Sequence, residues 1–118
     1  MTKAQIVRNN RFNAIQSALN GEMEKVFDWI LDAIEKRTEK NNFDDLELYI
    51  DGNVHLRPVN DTKGEEDYDI SDLILSYGKE TVCATLKKVV EKEEGYKVSI
   101  KNTIVWDSKS TLIVVRVE

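Results

Sequence analysis

The clearest hydrophobic stripe in the chain runs through Met23, Val26, Phe27, Ile30, Leu31 and Ile34, which recur at three- and four-residue steps. That spacing predicts an amphipathic helix over roughly 22–40, with Lys25, Asp28, Asp32, Glu35 and Lys36 on its opposite face. An earlier stretch, roughly 3–19, sets Phe12 and Ala18 beside Ile15 and Leu19, which lie one turn apart, while Ile6 and Val7 extend the apolar surface less regularly. Asn20-Gly21 between them predicts a stop or a bend, because glycine ends helices at little steric cost. The expectation is therefore two N-terminal helices.

Period-two alternation follows. Leu46, Leu48 and Ile50 hold one parity, and Val54 and Leu56 resume it beyond Asp51-Gly52-Asn53. A three-residue loop over 51–53, pairing Ile50 with Val54 and Leu48 with Leu56, keeps one apolar face, whereas a two-residue turn mixes the faces. Pro58 cannot donate to a ladder and marks an edge or a strand end. Residues 59–70 read as an acidic loop, and Ser71 is expected to cap a short helix over 72–77 that Gly78 ends, a strand being the alternative there. Val82, Leu86, Val89 and Val90 predict a further helix over roughly 79–94, closed by Gly95.

The last segment carries the strongest β pattern. Tyr96, Val98, Ile100, Ile104 and Trp106 share a parity broken only by Asn102, and a turn at 107–110 would return the chain through 111–117. Pairing Trp106 with Thr111 sets Ile104 against Ile113 and Ile100 against Val117. The reverse face then holds Val105, Leu112 and Val114 near the turn, where a sheet with one side in water should be polar, so something is expected to cover it. The order helix, helix, hairpin, linker, helix, hairpin predicts a single α+β domain over 1–118. Its expected core is a four-stranded, mostly antiparallel sheet with the helices packed on one face.

Composition narrows the function classes. A chain of 118 residues can bury one core without metal or disulfide staples. No apolar run is long enough to span a bilayer, the polar start lacks the apolar stretch of a signal peptide, and the single cysteine, Cys83, suits a reducing cytoplasm. The Asn60-Asp61-Thr62 sequon carries no weight without a secretion signal. The net charge of −5 is uneven: residues 1–21 hold three bases and no acid, residues 22–80 seventeen acids against seven bases, and residues 81–118 five acids against seven bases. An acidic middle repels phosphate, which disfavours direct nucleic-acid binding, although Lys3, Arg8 and Arg11, or Lys87, Lys88, Lys97 and Lys101, would be its seats.

Candidate chemistry is sparse. The only histidine, His55, falls on the strand face opposite Leu56 and beside Arg57, as an exposed strand residue would. Cys83 reads as a small buried apolar residue at a helix start. The run Glu65, Glu66, Asp67, Tyr68, Asp69, Ile70, Ser71, Asp72 opens like a calcium-binding EF-hand loop, but Asp72 stands where that loop needs glycine and Gly78 where it needs glutamate. No metal or other cofactor is expected, and there is no phosphate-cradling glycine loop, nucleophile elbow or zinc-ligand spacing.

Two surfaces remain. The first is the acidic run (Glu65, Glu66, Asp67, Tyr68, Asp69 and Asp72) with Trp29, an aromatic off the main helix stripe among charged neighbours, as anchors for a partner protein with a basic surface. The second is Val105, Trp106, Leu112 and Val114, a surface for a cover or for a homodimer. The sequence thus predicts a small, acidic, non-catalytic interaction protein. It is of the kind that mobile elements such as phages use as inhibitors, competing with nucleic acid for a basic protein surface; the parallel is one of class, without a residue match. A homo-oligomeric adaptor associating through the last hairpin is the alternative.

Overall fold

In the computed structural model, which describes residues 1–59, 67–105 and 108–118, the chain begins with one helix, α1, running unbroken from Lys3–Glu39. Thr2 starts it with a capping box: its hydroxyl oxygen accepts from the Gln5 N–H at 3.2 Å, and the Gln5 side-chain oxygen accepts from the Thr2 N–H at 2.9 Å. The expected break at Asn20-Gly21 is absent, which corrects two helices to one. The reason lies in the stripe that crosses the break. Leu19 and Met23 are four residues apart, both buried, and in phase with Val26, Ile30 and Ala33, so the core holds both sides of Gly21 on one axis. A mid-helix glycine costs only about 1 kcal/mol relative to alanine, less than burying either flanking residue returns.

Strands β1 (Leu46–Asp51) and β2 (His55–Pro58) form the first hairpin. Its ladder pairs Asp51 with His55, Ile50 with Leu56 and Leu48 with Pro58. The loop is three residues long as expected, but one residue later, over Gly52, Asn53 and Val54. Gly52 and Asn53 both take left-handed backbone angles (φ 59° and 57°), and the Val54 N–H closes onto the Asp51 carbonyl at 3.0 Å. Two consecutive left-handed residues suit glycine and asparagine, and the turn they form holds Val54 out of the ladder. The parity survives, because the pairing changes by an even number of residues.

A two-residue strand, β3 (Tyr68–Asp69), pairs antiparallel with β2 in the segment expected to be loop. Two short helices follow, α2 (Ser71–Tyr77) and α3 (Lys79–Glu91), separated by Gly78 at φ 83°. Ser71 is the first helical residue of α2 and not its cap. The N-cap position falls on Ile70, which has no side-chain cap, and the carboxylate of Asp69 accepts from the Ser71 N–H at 2.9 Å and the Ser71 hydroxyl at 2.7 Å.

The final hairpin joins β4 (Tyr96–Val105) to β5 (Ser108–Val117). Its register differs from the expected one by four residues: Val105 pairs with Ser108, Asn102 with Thr111, Ile100 with Ile113 and Tyr96 with Val117. Trp106 and Asp107 lie outside the described residues. The parity again holds. Asn102, the one polar interruption of the apolar face, meets Thr111, whose hydroxyl donates to the Asn102 side-chain oxygen at 3.1 Å.

β5 then pairs antiparallel with β1, giving five strands in the order β3-β2-β1-β5-β4 instead of the expected four. One face of this sheet, through Leu46, Leu48, Ile50, Leu56, Val98, Ile113 and Val115, forms a single core with α1 and α3. From α3 that core takes Val82, Cys83, Leu86 and Val90. Glu91 ties α3 to β4 by accepting a hydrogen bond from the Val98 N–H at 3.0 Å. No helix among the described residues is long and apolar enough to cross a membrane.

Candidate interaction site

The acidic surface is built on β2, β3 and the start of α2. Arg57 projects from β2 between two carboxylates, with Asp51 Oδ2 3.0 Å from its Nη1 and Asp67 Oδ2 2.7 Å from its Nε. The Nε contact is a close ion pair and not a well-aligned hydrogen bond. A hydrogen bond with Tyr49, followed by the charges of Asp67 and Asp51, raises the Arg57 pKa above its ordinary value. Asp69 sits opposite His55 in the ladder. The two Ser71 hydrogen bonds, side chain first, hold its carboxyl below the usual carboxylate range. Asp67, Asp69 and Asp72 are all exposed.

Beside these acids Tyr68 turns to the other face of β3 and meets Trp29 of α1, with ring centroids 5.7 Å apart and planes tilted by 52°. Both residues are half-buried. The cover for Trp29 is therefore β3. Leu75 of α2, three residues after Asp72, stands 88% exposed. Trp29, Tyr68, Asp67, Asp69 and Asp72 thus belong to one neighbourhood centred on β3, while Glu65 and Glu66 lie outside the described residues.

The second expected surface is less open than its pattern suggested. Val105 and Leu112 are each only 8% exposed and Val114 is half-buried, whereas Trp106 lies outside the described residues. Leu112 sits between its cross-strand neighbours Tyr49 and Lys101, whose side chains share its face.

The other candidates have structural surroundings. His55 is half-buried beside Asp69. Cys83 is buried, and desolvation raises its thiol pKa, which makes it a poor nucleophile. Among the described residues no group of three or more His, Cys, Asp or Glu side chains is placed to hold a metal ion.

One surface escaped the sequence reading. The first buried residue of α1 is Leu19; residues 3–15, 17 and 18 are exposed and Gln16 half-buried. Phe12 and Ile15 are 65% and 42% exposed, although their spacing to Leu19, Met23 and Val26 keeps them on the core stripe. Next to them a groove of about 810 Å³ opens between α1 and the C-terminal end of α3. Its apolar lining is Phe12, Phe27, Leu31, Val89 and Tyr96, the Phe27 and Tyr96 rings meeting edge to face at 5.5 Å. The available signal was that the apolar pattern before Phe12 is irregular and rich in asparagine, as an unpacked segment would be. No family model, curated protein or solved structure matches the chain.

Proposed function

We propose that this chain is a small, acidic, non-catalytic interaction protein that presents the β3–α2 edge to a basic surface on another protein. The observation that supports the reading is the arrangement at β3. Three exposed carboxylates, Asp67, Asp69 and Asp72, line an edge whose other face carries the Trp29–Tyr68 pair, and two of them are held by Arg57 and Ser71. Carboxylates already fixed by neighbours lose little side-chain entropy on binding, and an adjacent half-buried aromatic pair supplies apolar area that charge alone lacks. A basic surface that accepts such a row is chemically one that also accepts phosphates. The preferred partner is therefore a protein that handles nucleic acid, and binding would be competitive.

The test is capture from the native host followed by release. A partner held by this edge is displaced by added DNA or by raised salt, since both compete for the same cationic groups. Capture that survives both, or that survives replacement of Asp67, Asp69 and Asp72 together by lysine, would rule the reading out.

A further inference from the structure

The first turns of α1 have little beneath them. From Lys3 to Ile15 every residue is exposed, an overhang of about 18 Å at 1.5 Å per residue whose inner end borders the groove beside α3 at Phe12. The whole helix, about 55 Å, accounts for the 57 Å long axis of the molecule. Three asparagines, Asn9, Asn10 and Asn13, sit in this overhang, each a weaker helix former than alanine by roughly 0.6 kcal/mol. Such a segment, with Phe12 65% and Ile15 42% exposed, is poorly supported by local propensity and gains little from the core of its own chain.

Charge names the occupant. The overhang carries Lys3, Arg8 and Arg11 and no acid, whereas residues 22–39 of the same helix carry six acids against three bases. The groove beside it has Glu24, Asp28 and Glu93 on its rim together with Lys88 and Lys92. We infer that the overhang of one copy lies antiparallel in the groove of a second copy, with Phe12 and Ile15 against the apolar lining, forming a two-fold dimer. Arm and groove adjoin on one chain, so a two-fold axis lets each arm fill the other's groove and closes the assembly. An antiparallel alignment that sets Phe12 level with Phe27 brings Arg11 level with Asp28 and about a turn from Glu24, and Arg8 within a turn of Asp28. Two arms packed only on each other would set like charges together; arm against the Glu24–Asp28 wall of the groove does not.

Charge exchange tests this on the full chain. Sedimentation velocity of the wild type should show a reversible dimer of the 13.6 kDa chain. Arg8→Glu with Arg11→Glu, and separately Glu24→Lys with Asp28→Lys, should each weaken dimerisation by at least about tenfold, and all four changes together should restore it to within a few-fold of wild type. All four positions lie outside the buried core, so circular dichroism should show each variant folded. A wild type that stays monomeric at about 100 µM, or a fourfold variant as weak as the two pairs, overturns the inference. So does a monomer that instead binds anionic phospholipid vesicles through Phe12 and Ile15, since a basic, apolar-faced helix suits that surface too. Loss of the dimer leaves DNA-displaceable capture through Asp67, Asp69 and Asp72 untouched, so the two readings fail separately.

Discussion

Replacing Gly21 with alanine asks whether α1 is one helix in solution or two helices meeting at Asn20-Gly21. In the structure Gly21 is exposed in the middle of a 37-residue helix, without a left-handed backbone angle, and a methyl group added there meets no atom within 4 Å. The substitution therefore brings no clash. It removes the backbone freedom that glycine has in the unfolded chain, and the flanking Leu19 and Met23, 1% and 0% exposed, make this turn part of the cooperative unit. Glycine and alanine differ by about 0.8–1 kcal/mol in a helix interior, so Gly21→Ala should stabilise by about that amount. At roughly 2.1 cal/mol/K per residue, unfolding a chain of this size carries an entropy near 0.25 kcal/mol/K, and Tm should rise by about 3–4 °C. Urea denaturation should show the midpoint moving up by about 0.5 M with an unchanged slope. A gain below about 0.3 kcal/mol, or a loss, would mean that the chain bends at Gly21 and that the continuous helix is wrong.

Three further outcomes follow from single residues. Ile30, wholly buried where α1 meets the sheet, should cost about 2–5 kcal/mol on truncation to alanine, measured by the same denaturation; a cost under 1 kcal/mol would place the core elsewhere. The depressed Asp69 pKa contributes stability above its unfolded pKa that is lost as pH falls through the folded one. Ser71→Ala should therefore raise the Asp69 pKa in an NMR titration and flatten the acid limb of the stability profile, and an unmoved titration would refute the role given to Ser71. Cys83 should resist alkylation in the folded protein at pH 8 and react once urea unfolds it, whereas fast native labelling would show an open thiol.

Much of the fold was legible where a pattern had a single solution. The stripe from Met23 to Ile34 predicts its helix because six residues agree on one face, and the strand parities hold because a one-residue slip would turn every apolar side chain outward. Register was not legible for the same physical reason. A slip by an even number of residues preserves the faces, so the choice falls to local chemistry: the left-handed Gly52-Asn53 pair in one hairpin and the Asn102–Thr111 partnership in the other. The break at Asn20-Gly21 misled because a breaker's cost is small and fixed, while the stripe across it continues. β3, two residues long, has no periodicity to read.

The acidic edge was partly visible as composition. What composition does not carry is that Asp69 is tied to Ser71, that Asp67 is paired with Arg57, or that Tyr68 reaches Trp29 from a strand thirty-nine positions later. The overhang was hidden for a different reason. Phe12 and Ile15 obey the core periodicity perfectly well, and only the three-dimensional extent of the domain decides how little lies beneath them.

The reading of this chain as an interaction protein rests on the edge at β3 being the surface that meets the partner. The most direct measurement compares what three forms capture from the native host by quantitative mass spectrometry: wild type, the Asp67→Lys, Asp69→Lys, Asp72→Lys variant, and a Phe12→Glu, Ile15→Glu variant. The account predicts that wild type and the helix variant retain the same basic, nucleic-acid-handling protein and that the edge variant loses it. Equal capture by all three, or loss in the helix variant alone, would contradict it.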